Sequence, residues 1–196
     1  MSRIEIRVSG FGGQGIILSG KIIGMAAAIY EGKQATLNQS YGPEARGSAC
    51  SAQVVVSDEL IHYPYVSKLN ILIAMSQEAY RKFAPEITKN GLLLIEKDLV
   101  EVEKLQEEIE TYSIPATRMA EELGRKIIAN IVMLGFFTAK SKLFNPDSMR
   151  GAMLSSVPKG TEELNLSAFN AGFNYSSELD KNKKSQGKKA TTHEKN

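Results

Sequence analysis

Gly10-Phe11-Gly12-Gly13-Gln14-Gly15 decides how this chain is read. Ahead of it, Ile4-Glu5-Ile6-Arg7-Val8 alternates apolar and charged residues, the pattern of a short β-strand. Behind it, residues 16–28 have helical length and an almost wholly apolar body. The glycines therefore stand where a strand hands over to a buried helix, the setting in which G-x-G-x-x-G carries meaning. Glycine tolerates positive φ and lets a ligand or a second backbone come close. Amides in the first turn of the helix have no intrahelical partner, so the loop favours an anion such as a phosphate. The same residues also serve packing, because Gly20, Gly24 and Ala28 recur every fourth residue and give the helix a smooth face. A dinucleotide site further needs an acid about 20 residues on, at the end of the second strand. That strand reads as Gln34-Ala35-Thr36-Leu37-Asn38, and no acid follows it before Glu44. Ordinary NAD binding is disfavoured on this ground. Anion contact and helix–sheet packing both stay open.

The chain of 196 residues has the size of one domain with a full core, and its 42% hydrophobic and 23% charged content is that of a soluble protein. A net charge of +2 is too small to argue for nucleic acid or a membrane surface. The charge is uneven. From Ser176 onward six lysines face three acids, so the rest of the chain is close to neutral. This segment has almost no apolar residues and reads as a disordered Lys-rich tail, residues 176–196, after an α/β domain at residues 1–175. A lone cysteine, Cys50, excludes an internal disulfide and a cysteine-built metal site. No metal-ligating or catalytic set emerges, and His62, without a neighbouring ligand residue, reads as structural. Met1-Ser2-Arg3-Ile4 runs into a strand with no secretory segment, and no apolar run approaches the roughly 20 residues that span a bilayer. A cytoplasmic protein is expected.

Along the chain, Asn38 to Ser48 is rich in glycine, proline and polar residues and reads as an exposed loop. It gathers Tyr41, Glu44 and Arg46, and Arg46 has the planar fork that grips phosphate or carboxylate. Residues 52–57 form a strand, and after the turn at Asp58-Glu59 a hairpin partner is expected at Leu60-Ile61-His62-Tyr63. Leu69 to Met75 is a buried strand, Ser76 caps a helix through Phe83, Asn90-Gly91 marks a turn, and Leu92 to Ile95 is another buried strand. An acidic surface helix is expected from Val100 to Glu110, then a short strand at Tyr112 to Pro115 and a helix capped by Thr117. Residues 127–140 are apolar nearly all round, which places this helix in the core or against a partner subunit, and buried Asn130 needs a hydrogen-bond partner there. Asn145-Pro146 and Thr161 open two further helices. The strand–helix alternation gives an α/β class: one three-layer Rossmann-like domain with a largely parallel sheet and an antiparallel edge hairpin.

The glycine stretch with Ile16-Ile17-Leu18-Ser19-Gly20, together with Ser40-Tyr41-Gly42-Pro43-Glu44-Ala45-Arg46-Gly47, Ala74-Met75-Ser76-Gln77-Glu78-Ala79-Tyr80 and Pro115-Ala116-Thr117, resembles the gamma subunit of 2-oxoacid:ferredoxin oxidoreductases. The resemblance runs from about Arg3 to Tyr175, and the 40–47 and 76–80 stretches look most like the 2-oxoglutarate type, with pyruvate, branched-chain and indolepyruvate types as alternatives. The sequence departs from the pattern at Ser48, where a second glycine is expected.

The resemblance implies oxidative decarboxylation of a 2-oxoacid, with coenzyme A taking the acyl group and ferredoxin the electrons. It places thiamine diphosphate and iron–sulfur clusters in partner subunits: alpha, beta and a ferredoxin-like delta subunit. No residue of this chain is then catalytic, and the protein contributes binding and orientation. Implied cofactor contacts are Gly10, Phe11, Gly12, Gly13, Gln14 and Gly15 on a coenzyme A phosphate, with Ser40, Tyr41, Glu44 and Arg46 facing the shared site. Coenzyme A carries phosphates without demanding the ribose-binding acid that is missing here. The rival readings are a purely structural subunit and a free-standing NAD-type oxidoreductase.

Overall fold

The computed structural model describes residues 3–41 and 49–193. Among these, six strands form one sheet in the order β2-β3-β1-β4-β5-β6. Strand β1 (Ile4–Phe11) leads through the glycine loop into helix α1 (Ile16–Met25), which finishes in a π-helical turn, Ala26–Tyr30. Strands β2 (Gln34–Tyr41) and β3 (Ala49–Ser57) follow, then β4 (Leu69–Ala74), α2 (Gln77–Phe83), β5 (Ile87–Glu96) and β6 (Glu110–Ile114). Helices α3 (Ala116–Glu122), α4 (Ala129–Ser141), α5 (Pro146–Ser156) and α6 (Glu162–His193) complete the chain.

Strands β1, β4, β5 and β6 run parallel, while β3 pairs antiparallel with both β1 and β2. The expected antiparallel edge is therefore present, but the hairpin is β2–β3. The segment expected to pair with β3, Leu60 to Tyr63, is not a strand. Its neighbourhood crosses the polar part of one sheet face, over β1, β2 and β3, where side chains take the bonds that a ladder would have made. Arg3 donates to the carbonyls of Tyr63 (2.7 Å) and Tyr65 (2.8 Å). Thr36 and Asn38 donate to Pro64 O at 3.0 and 2.6 Å, and Val66 N–H donates to Gln53. The Glu5 carboxylate accepts from the backbone N–H groups of Ser67 and Lys68. His62 lies exposed on this segment.

The sheet has two apolar faces of unequal size. Helices α1, α3, α4, α5 and α6 cover one, burying Ile6, Val8, Val54, Ile73, Leu94 and Ile114 beneath them. The other face, with Leu72, Leu93 and Ile95, is covered by α2 and by residues 97–109. The helix expected at 100–110 is absent. Val100 and Ile109 are buried against the sheet, and the backbone of Glu101 is held by Gln77 in both directions at 2.7 and 3.1 Å. Such bonds fix an irregular cover instead of a surface helix. Asn90-Gly91 is not a turn between elements but a bulge inside β5, with Asn90 at φ 60° and a register shift opposite Leu69 and Ile71.

The apolar helix α4 is buried within the chain, not left for a partner. It crosses α6 where a Cβ on Gly135 would come within 2.0 Å of Phe169 O, and one on Gly172 within 1.9 Å of Val132 O. The reciprocal glycines bring the two backbones into contact. Helix α6 also overruns the expected domain boundary at residue 175. Ser176 is buried, Leu179 packs on the core, and the helix continues to His193. Leu179 stands four residues after Tyr175 and so extends the apolar stripe by one turn.

Candidate functional site

The parallel strands β1, β4, β5 and β6 end on one side of the sheet. The chain leaves β1 through α1 for one half of the sheet, and leaves β4 through α2 for the other. The space between the ends of β1 and β4 is thus a topological switch point, where open α/β sheets hold ligands. Gln14 spans it. Its Oε1 accepts from Phe11 N–H at 2.7 Å and its Nε2 donates to Met75 O at 2.9 Å. A cleft of about 350 Å³ opens beside it, lined by Gly13, Gln14, Met75, Leu99, Thr117, Lys126, Ile127 and Ala129.

The glycines of the loop do different work. Gly10 makes room: a Cβ there would meet Gln14 Oε1 at 2.4 Å and both Ile16 Cδ1 and Met75 Cβ at 2.9 Å. Gly15 caps α1 in the left-handed region at φ 69°, directly against the Asn130 side chain. Buried Asn130 finds its partner here, with its Nδ2 donating to Gly15 O at 3.4 Å. Gly13, at φ 96°, has nothing within 4 Å of its Cβ position and opens into the cleft. Ser19 N–H makes the first i→i−4 bond of α1, to Gly15 O, so the amides before it have no intrahelical partner. Close packing and open space therefore coexist in one loop, divided between residues. In the helix behind it, a Cβ on Gly20 would come within 2.4 Å of Ala52 Cβ, while one on Gly24 would meet nothing within 4 Å.

Phe11 is half-buried at the end of β1, and Gly12 is exposed. Ser40 and Tyr41 lie at the exposed end of β2, where Tyr41 pairs with Cys50 and Cys50 with Gly10. That register puts Tyr41 at the same end of the sheet as the glycine loop, two strands away, about 10 Å. Tyr41 Oη donates to Gln39 Oε1 at 2.5 Å, and neither Ser40 nor Tyr41 lines the cleft. Glu44 and Arg46 lie outside the described residues. The insertion of β3 between β2 and β1 also explains the missing ribose acid in physical terms: the end of β2 is a strand too far from the loop to serve it.

Thr117, Lys126, Leu99 and Ile127 were not legible as site residues. Thr117 does not cap α3 with its own side chain, since Pro115 occupies that position. The acceptor is Glu96, at the end of β5 and 0% exposed, whose Oε2 receives Thr117 N–H at 3.0 Å together with the Thr117 hydroxyl, and whose Oε1 receives Asp98 N–H at 3.0 Å. The available signal was an acid closing the wholly apolar run Leu92-Leu93-Leu94-Ile95. Lys126 stands at the rim, paired with Glu121 at 3.4 Å and 71% exposed. Among the described residues, no three His, Cys, Asp or Glu side chains gather into a metal site, and no helix is long and apolar enough to cross a membrane.

The family model for pyruvate ferredoxin/flavodoxin oxidoreductase matches residues 5–175. The chain belongs to this family. Among curated family members, 2-oxoglutarate synthase subunit KorC of Methanocaldococcus jannaschii is 52% identical over 179 residues, covering 90% of this chain and 96% of that protein. The crystal structure of a keto/oxoacid ferredoxin oxidoreductase gamma subunit from Geobacter sulfurreducens superposes with a TM-score of 0.79 at 40% identity, covering 89% of this chain and 96% of that one. The fold also recurs in the 2-oxoglutarate:ferredoxin oxidoreductase of Magnetococcus marinus, solved with 2-oxoglutarate, coenzyme A and succinyl-CoA. There the TM-score is 0.81 at 24% identity over 90% of this chain, which spans 31% of that one.

Proposed function

We propose that this chain is the gamma subunit of a 2-oxoglutarate:ferredoxin oxidoreductase of the cytoplasm, and that it holds coenzyme A in the cleft beside the glycine loop. The observation that carries the assignment is the 52% identity to a 2-oxoglutarate synthase subunit across nearly the full length of both chains. What supports a phosphate-bearing ligand at the cleft is that Gly13 leaves the loop open just before the start of α1, and that Lys126, paired with Glu121, stands at the rim. Thiamine diphosphate and iron–sulfur clusters supply the decarboxylation and electron-relay chemistry from the alpha and beta subunits and a ferredoxin-like delta subunit. Cys50 alone cannot provide the four thiolates that a cluster requires. This chain binds and orients, and the loop carrying Ser40, Tyr41, Glu44 and Arg46 faces the partner subunits.

The test is co-purification of the tagged chain from its host, followed by assay of the complex for 2-oxoacid-dependent, coenzyme A-dependent dye reduction. Partner subunits that carry thiamine diphosphate and clusters, with preference for 2-oxoglutarate, are expected. A chain that emerges alone overturns the assignment. The rival reading, a purely structural subunit, draws on the tight packing at Gly10 and Gly15. It requires that Gly12→Val leave the KM for coenzyme A unchanged in an intact complex, whereas coenzyme A binding at the loop raises that KM.

A further inference from the structure

The two edges of the sheet are protected unequally. Strand β6 is five residues long, opens on the charged Glu110, and has the Lys140 ammonium 4.2 Å above its Tyr112 ring. Short length and charge are among the devices that keep an edge from pairing with another chain. Strand β2 has neither. Its eight residues, Gln34-Ala35-Thr36-Leu37-Asn38-Gln39-Ser40-Tyr41, include no charge, no proline and no glycine. It pairs with β3 from Gln34 to Tyr41 without a bulge, and no residue along it is buried. Among the described residues, its outer row of N–H and C=O groups has no partner strand.

Exposed apolar side chains gather at this same edge. Ile29 is 72% exposed just before β2, and Tyr41 is exposed at its end. On the opposite sheet face, Tyr63 and Tyr65 stand exposed with their rings 5.5 Å apart, on the segment that Thr36 and Asn38 hold through Pro64. Tyrosine is enriched among the anchors of protein interfaces. Between α1 and β2 runs a groove of about 210 Å³, lined by Lys21, Gly24, Ala28, Ile29, Ala35 and Leu37. Gly24 leaves it open, since a Cβ there would meet no atom within 4 Å.

We infer that β2 is the seam between two copies of this chain, paired antiparallel about a two-fold axis so that one sheet runs through both. Three features select a second copy. An uncharged strand laid against itself brings no like charges face to face. A two-fold interface must carry both halves of each contact on one surface, and here the protruding Ile29 and the Gly24 groove lie on the same sheet face beside the same edge. The size also suffices. Eight residues make a seam about 27 Å long, and a depth of about 20 Å for sheet and helix layers gives roughly 1,000 Å² over both copies, the lower bound for a specific interface. Strands β3 and β1 separate this seam from the cleft, so its formation does not depend on coenzyme A.

The test is sedimentation of the full chain over a concentration series. The 21.5 kDa chain is expected to double in mass with a Kd of about 10 μM, the weak binding that so small a seam supports. Gly24→Leu fills the groove from within, at a position whose Cβ meets nothing in its own chain, and leucine favours a helix over glycine. It is expected to keep or raise the melting temperature and to weaken the dimer at least about tenfold. Ile29→Lys brings an ammonium to a groove that already holds Lys21, and Gln39→Lys puts onto the edge the charge that β2 lacks. Each is expected to weaken the dimer by a similar factor. Val102→Lys changes an exposed apolar side chain away from β2 and is expected to alter the Kd by less than about twofold. A chain that stays monomeric at about 100 μM overturns the inference. So does a dimer that survives all three variants at the edge, because it is then built elsewhere. In the assembled complex, amine cross-linking reads the same seam. A link from Lys21 to Lys21 can join only two copies of the chain, and is expected in wild type and lost in Gly24→Leu. Links from Lys21 to a different subunit instead give the edge to that subunit and overturn the second copy.

Discussion

The α4–α6 crossing and the β1–α1 loop are both built on glycine, for opposite reasons. At the crossing, Gly135 and Gly172 remove side chains so that two backbones meet, and no space is left over. In the loop, Gly13 removes a side chain and leaves the space empty at the mouth of a cleft. Gly10 and Gly15 lie between these extremes, each filled by one polar side chain, Gln14 or Asn130. The difference teaches that a glycine's role is fixed by what stands opposite it. Only a glycine facing nothing is free to face a ligand.

The comparison can be broken most directly at the crossing. Gly172→Ala drives a methyl to within 1.9 Å of Val132 O, a backbone atom that cannot step aside. The expected loss is about 3 kcal/mol or more, read as a lowered urea midpoint of the chain, with the KM for coenzyme A unchanged in whatever complex still assembles. Normal stability would mean that the two helices do not touch as described. Next comes Gly10→Ala. Its nearest obstacle is the far end of Gln14, a side chain that can move, with Ile16 and Met75 behind it. A loss of about 2 kcal/mol is expected, together with a raised KM, because a displaced Gln14 no longer bridges β1 to β4. Gly13→Ala meets no atom and is opposed only by its φ of 96°. About 1 kcal/mol of stability is expected to be lost, while the KM rises through rigidity and bulk at the cleft. If Gly13→Ala costs more stability than Gly172→Ala, the division between a packing region and a binding region fails.

The smallest effect sharpens the comparison from the opposite face of the sheet, where neither glycine set acts. Burial alone would raise the Glu5 carboxyl. The N–H of Lys68, the Arg3 guanidinium and the N–H of Ser67 outweigh it and hold the group below the ordinary glutamate range. A depressed carboxyl stabilises the fold above its unfolded value and loses that contribution as pH falls through the folded one. Wild type is therefore expected to lose stability from pH 7 toward pH 3, and Glu5→Gln to lose less over the same interval, measured by urea denaturation at each pH. An identical acid limb in both proteins would show that the tether of residues 63–68 to β1 is not a source of acid sensitivity.

How much of this was legible in the sequence can be argued element by element. Strands and helices with strong periodicity, such as β1, α1, β4, α2 and α4, were readable because each carries its own apolar pattern. Segments held by side chains from elsewhere were not. Residues 60–63 look like half a hairpin, and residues 100–110 look like an acidic helix. Arg3, Thr36 and Asn38 pin the first, and Gln77 and Arg81 pin the second, all from distant positions in the chain. The glycine loop was readable as a site, but its wall was not. Thr117 and Lys126, more than 100 residues along the chain from the glycine loop, line the same cleft as Gly13 and Gln14 only through the tertiary fold.

The sequence by itself determined the α/β class, the strand–glycine–helix unit and the kinship of the chain, because these reside in local pattern and in residue identity along one stretch. The tertiary structure alone decided that β3 separates β2 from β1, that α6 and not a partner covers α4, and that Glu96 orients Thr117 from 21 residues away. Each of these depends on which elements meet in space. Periodicity says which face of an element is buried, and is silent on what buries it.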